Sequence, residues 1–271
     1  MARPSVSVVW AESTVPPAPA PLLSYSARWV NPENMTDGGQ PGGNIRQVFF
    51  YRGDRGVGFA QAPAGDATTA ESLTVVHGRP HLALNPGRIT PANAVWSSSR
   101  KPLVAEFTFR GTTVFAIANH FASKGGDDPL FGRWQQPVGS SETQRHLQAK
   151  EVRSFVDKLL VADAHAKVVV LGDINDFEFS QTTDLMVGTG RTAMVDLPRT
   201  LPAKQRYSYV YEGNSQVLDQ ILISKALAGA AQRSKHRTFD YDIVHTNAEF
   251  HDQDSDHDPQ VVRLTIGADR G

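Results

Sequence analysis

Four short polar segments interrupt apolar stretches of this chain, and between them they hold histidines, carboxylates and an amide. The first is Asn119-His120-Phe121-Ala122-Ser123-Lys124. An imidazole at the exit of a buried run suits acid–base work or binding of a phosphate oxygen. A solvated or internally satisfied histidine is the plain alternative. The second, Gly172-Asp173-Ile174-Asn175-Asp176, follows KVVVL. Side chains alternate along a strand, so Asp173 and Asn175 are expected on one side. There the carboxylate accepts a proton or steers a water, and the amide holds a phosphate oxygen. An Asx-type turn would give the same letters.

The third segment runs from Val217 through Asp219 to Ile223. Period-two alternation puts Asp219 among Val217, Ile221 and Ile223. An ionised carboxylate there is costly unless paired, and a histidinium is an obvious partner. An edge strand with Asp219 in water is the alternative. The fourth, Asp252-Gln253-Asp254-Ser255-Asp256-His257-Asp258, imitates a calcium loop. It fails as one because His257 takes the glycine position and Arg263 the bidentate glutamate position. Such crowded acids repel one another unless a hard cation sits among them; a solvated acidic loop is the bland reading. Taken together, two histidines, two or more carboxylates and an amide at strand ends are the parts for attack of water on phosphorus.

The elements that must position these groups follow from pattern. Pro102 to Phe109 and Thr112 to Asn119 are apolar runs around Arg110-Gly111, a hairpin signature. Ser141-Glu142-Thr143-Gln144 reads as a capping box. The helix behind it buries Ala149, Val152, Phe155, Val156, Leu159 and Leu160. Lys167 to Leu171 is a buried strand; Val217 to Ile223 and Val261 to Ile266 are two more, and Gln47 to Arg52 is another. Thr36 to Asn44 is a glycine-rich loop, and Gly53 to Asn93 holds only short strands and loops. Residues 1–23, with Val15 to Pro21 reading VPPAPAP, are expected as an extended proline-rich arm.

The chain has 271 residues and a formal net charge of -1. This argues against a passive nucleic-acid coat, which needs a strongly basic surface. A nuclease is not, because a metal ion supplies positive charge at the scissile phosphate. There are no cysteines, which removes disulfides, thiol catalysis and cysteine zinc sites. No apolar run is long enough for a membrane span, and the N-terminus is a poor signal peptide. No protein partner is evident.

NHFASKGG, VVVLGDIND, VLDQILIS and SDHDP, in that order, closely resemble the endonuclease/exonuclease/phosphatase superfamily. DGGQPGGNIR, SETQRHLQAKEV and YSYVYEG bring the chain nearest its bacterial extracellular, deoxyribonuclease I-like members. The resemblance covers residues 24–267. It implies a four-layer α/β sandwich with two packed mixed β-sheets. It implies that His257 activates water, with Asp219 orienting it, and that Asp173 and Asn175 meet the scissile phosphate. His120 would act as acid or phosphate binder, and Arg100 and Asn119 would contact substrate. Asp256 would help hold Mg2+, or Mn2+ or Ca2+ in its place. It also implies an extracellular or periplasmic location.

One departure stands out. The family opens with a strand bearing an asparagine and a second ending in a metal-binding glutamate. Here those N-terminal strands are missing or divergent, and Val8 to Glu12 only faintly resembles the second. The expectation is a metal-dependent, sequence-nonspecific nuclease acting on DNA or RNA. Its rivals are a phosphatase or phosphodiesterase for a small molecule or lipid headgroup, and an impaired remnant that only binds phosphate.

Overall fold

The apolar run Val168–Leu171 and the two runs flanking Arg110-Gly111 form neighbouring strands, and the other elements pack on them. The computed structural model describes residues 5–10, 24–38, 42–129, 131–229 and 239–266. Its early strands are β1 (Ser5–Trp10), β2 (Ser26–Arg28), β3 (Phe49–Tyr51), β4 (Val57–Phe59), β5 (Leu73–Val76), β6 (Arg79–Leu82) and β7 (Gly87–Arg88). The central ones are β8 (Leu103–Phe109), β9 (Thr112–His120), β10 (Lys167–Asp173), β11 (Met194–Asp196), β12 (Tyr209–Tyr211), β13 (Asn214–Gln216) and β14 (Asp219–Ser224). β15 (Phe239–Ile243) and β16 (Gln260–Thr265) follow. The helices are α1 (Glu142–Ala162), α2 (Gln181–Val187) and α3 (Lys225–Ala228).

A larger sheet runs β11-β14-β10-β9-β8-β4, with β7 also on β8. The β8–β9 turn puts Arg110 (φ 52) and Gly111 (φ 78) in the left-handed region, as a two-residue turn between twisted strands requires. β10 lies parallel to β9. Parallel neighbours need a long crossover, and the segment carrying α1 supplies it. The smaller sheet, β1-β16-β15, is antiparallel throughout, so only the larger one is mixed.

Two apolar cores follow from strand alternation. Phe115, Ile117, Val168, Val170 and Leu222 face α1, meeting Val152, Phe155, Val156 and Leu159. Val169, Leu171, Ile221 and Ile223 face the other way, onto Tyr241, Val262 and Leu264 of the smaller sheet. Each fully enclosed aliphatic contributes about 2 kcal/mol. The architecture is thus the expected α/β sandwich of two packed sheets. The described residues supply three of its layers. The outer face of the smaller sheet carries the exposed Asp240, Asp242 and Arg263.

Two local expectations are corrected. Residues 5–10 of the expected arm form β1, because their backbone groups pair with β16 from Ser5↔Thr265 to Trp10↔Gln260. Residues 11–23, with the proline run and Glu12, lie outside the described residues. The capping box also does not form. Ser141 makes no side-chain cap; its N–H and Oγ both donate to Asp127, at 2.7 Å each. A carboxylate from the preceding loop satisfies the helix end better than a hydroxyl would.

Gly172 matters most among the glycines. Its φ is 131, and a Cβ there would lie 2.0 Å from the Asn119 carbonyl oxygen on β9. Gly172→Ala is expected to destabilise the fold by about 3 kcal/mol or more, read by urea unfolding. An unchanged midpoint would show that β9 and β10 have room to part.

Candidate active site

β9 ends at His120, β10 ends at Asp173 and β14 begins at Asp219. The register pairs Asp173 with His120 on one side and with Asp219 on the other. Three chemically active side chains therefore stand in one row across adjacent strands. His257, just before β16, comes from the smaller sheet. Its Nδ1 lies 2.7 Å from Asp219 Oδ2.

Two neighbouring carboxylates in this setting need donors. Asp219 is fully enclosed. Besides His257, its Oδ2 accepts from Ser208 Oγ at 2.6 Å. Ser208 is itself clamped: its N–H donates to Gln216 O at 2.8 Å and its carbonyl accepts from Asp258 N at 2.7 Å. Asp173 is served by Asn175, whose N–H donates to Oδ1 at 2.7 Å and whose Nδ2 donates to Oδ2 at 3.1 Å. Asn175 manages both by adopting φ 54, beyond the strand end. A turn, not strand alternation, brings Asp173 and Asn175 together, and the Asx reading and the site reading coincide. Nδ2 of Asn175 also reaches Phe121 O at 3.2 Å, which Arg100 holds at 2.6 Å.

His120 Nε2 lies 3.4 Å from Asp173 Oδ2. Burial first, then the charges of Arg100 and His257, push its pKa down to about 2. The imidazole is therefore neutral at physiological pH. Tyr209, whose ring centroid is 4.8 Å from that of His257, is pushed up by burial and then by the charge of Asp256.

The structure gathers His120, Asp173, Asn175, Asp219 and His257, with Arg100 beside them. Arg100 is buried yet lines a polar cavity with Ser97, Ser98, Ser123 and Gln144. Asn119 is corrected as a substrate contact. It is fully enclosed, and its amide donates to Ile117 O and Leu171 O, at 3.1 Å each. Asp256 stands in solvent, as do Asp252 and Asp254. The crowding is relieved by Asp258, which turns inward instead. Asp258 accepts from the N–H groups of Thr246, Asn247 and Ala248 and pairs with His245 Nδ1 at 3.0 Å.

No group of three or more such side chains able to hold a metal occurs among the described residues. Asp173 and Asp219 spend oxygens on hydrogen bonds, Asp256 is exposed to solvent, and Glu12 is outside the described set. These residues do not by themselves fit a metal ion. Ser208 lies within YSYVYEG, but nothing in that stretch points to a bond with Asp219 until their 2.6 Å separation is known.

The His120 shift has a consequence for stability. Below pH 6.5 the unfolded chain takes a proton here that the folded chain refuses, so this group destabilises the fold as pH falls. Asp196, which burial pushes up to about 7, acts oppositely, since the folded state keeps a proton that the unfolded state loses. Comparison with His120→Gln isolates the histidine. Between pH 6.5 and 5 the stability difference should move by about 2 kcal/mol in favour of the variant. A difference independent of pH would mean that the imidazole titrates normally.

A model of the Endonuclease/Exonuclease/phosphatase family matches residues 88–262, a span that holds every residue gathered above. No curated protein sequence matches the chain. Among solved structures, the human Nocturnin catalytic domain with bound sulfate is similar at TM-score 0.53 and 12% identity, over 90% of this chain and 72% of that one. Truncated Caenorhabditis elegans TDP2 gives 0.52 and 12%, over 89% and 75%. D. rerio TDP2 with a single strand DNA product gives 0.50 and 16%, over 90% and 78%. Identities this low speak for the fold. With the family match spanning most of the chain and the paired histidine and aspartate inside it, the protein belongs to the endonuclease/exonuclease/phosphatase family of hydrolytic phosphoesterases.

Proposed function

We propose that the protein is a sequence-nonspecific nuclease that hydrolyses phosphodiester bonds in DNA, with RNA as the alternative substrate. The observation that carries this reading is the 2.7 Å pair of His257 and Asp219, set in one row with Asp173 and His120. Nδ1 on the carboxylate orients the ring, so that Nε2 is the nitrogen that takes a proton from the attacking water. Asp219 stabilises the imidazolium as it forms. Asn175 holds a phosphate oxygen through its amide, and Asp173 steers the water. Neutral His120 meets a phosphate oxygen without adding charge, while Arg100 offsets the charge that builds on phosphorus.

The nucleic-acid assignment rests on DGGQPGGNIR, SETQRHLQAKEV and YSYVYEG, the stretches shared with bacterial extracellular deoxyribonucleases. The same likeness supports work outside the cytoplasm. The sequence shows no recognition-helix motif and no basic tract for reading base edges. Dependence on Mg2+ or a similar cation is supported by the family, whose enzymes generally use divalent metal ions.

Incubation with supercoiled plasmid and Mg2+, with and without a chelator, tests the proposal. Nicking that the chelator abolishes is expected. Asp219→Asn and His257→Ala should each lower kcat by about 10²–10⁴, and Ser208→Ala by about tenfold. Turnover that persists in chelator would remove the metal requirement. Near-normal rates in the Asp219 and His257 variants would remove the mechanism, and binding of plasmid without cleavage would identify a phosphate-binding remnant.

A further inference from the structure

Phe179 is 72% exposed, although it follows the catalytic Asn175 by only four residues. It is not a loose side chain on a loose loop. Its ring lies parallel to that of Phe177, with centroids 5.1 Å apart and planes 13° apart. The Lys124 ammonium stands 4.5 Å from the Phe177 ring, which adds a cation–π contact.

The backbone beneath the pair is pinned at several points. Phe177 N–H donates to Asp176 Oδ1 at 3.1 Å. Phe177 O accepts from Thr183 Oγ1 at 2.8 Å and from Ser180 N at 3.0 Å. Glu178 O accepts from Arg199 Nε at 2.7 Å. Asp176 is buried and held in turn by Arg145, Thr182 and Lys124. The loop thus presents an exposed aromatic ring stacked on Phe177, four residues beyond Asn175 and on a backbone held from both sides.

We infer that Phe179 is a stacking platform for an unpaired nucleobase of the strand whose scissile phosphate lies at Asp173 and Asn175. The inference rests on the nuclease reading above and deepens it: the favoured substrate is a single strand or a locally melted one. Four residues span at most about 14 Å, so the platform serves a base within a few nucleotides of the cut. A planar base completes the Phe177–Phe179 stack with its own π-face, a contact that every base can make. That suits an enzyme without sequence preference. Bases inside an intact duplex have both faces covered by their neighbours and cannot use it.

The test compares wild type, Phe179→Ala and Phe179→Trp on two labelled oligonucleotides of equal length. One is single-stranded oligothymidylate and the other carries abasic sugars throughout. Affinity is read by fluorescence anisotropy, and cleavage is read separately. Phe179→Ala should weaken binding of the thymidylate about tenfold, leave the abasic strand unchanged and keep kcat within about twofold. Phe179→Trp should restore the affinity. An equal effect on both strands, or none on either, overturns the platform.

The two readings can fail separately. Wild type that prefers base-bearing strands without cutting them would end the nuclease reading and leave the platform standing. Wild type that cuts and binds both strands equally would do the reverse. Wild type that neither binds nor cuts either strand would end both.

Discussion

Two carboxylates, Asp173 and Asp219, are held side by side at one end of the larger sheet, both nearly removed from water. Like charges so placed repel, and each loses hydration that the protein must replace. Much of the surrounding structure is the answer to that problem. Ser208 and His257 are brought to Asp219 from outside its strand, and Asn175 leaves the strand path to serve Asp173 with two donors. The groups that satisfy these charges are also the groups that chemistry requires. The imidazole N–H that satisfies the Asp219 carboxylate at rest leaves the other ring nitrogen available when a proton is to be taken.

The backbone arrangement makes the row possible. Parallel β9 and β10 end at the same level, and antiparallel β14 starts there. Gly172 allows β9 and β10 to approach where any side chain would strike the Asn119 carbonyl. The two cores on opposite faces of the sheet then hold that geometry from both sides. His257 depends on the second of these, because it rides on the smaller sheet and meets Asp219 only when the sheets are packed.

The sequence made part of this legible. The strands around residues 103–120, 167–173 and 219–224 announce themselves by apolar runs, and a polar residue at the end of such a run stands out. Hence His120, Asp173 and Asp219 could be read directly, and the need of Asp219 for a partner followed from the cost of burying its charge. Asn175 was found by a faulty route, since alternation does not continue past a strand end. Asn119 was misread because a buried amide bonding to backbone and one facing a ligand have the same letter and spacing. The acidic run 252–258 hid its division of labour: only the fold shows that Asp258 turns in while Asp256 stays out. The capping serine was overruled by Asp127, a distant loop residue that no local pattern points to. Ser208 sits inside YSYVYEG, where no spacing ties it to Asp219.

The pairing of His257 with Asp219 joins positions 38 residues apart, and their partners lie farther back along the chain. No partial chain can assemble this centre. A ribosome-bound fragment carrying His120 and Asp173 but lacking the C-terminal strand has neither the orienting carboxylate bond nor the smaller sheet to supply it. Contacts so distant in sequence form late and slowly. The hydrolytic centre of the molecule is therefore withheld until the C-terminal strand has been made and docked.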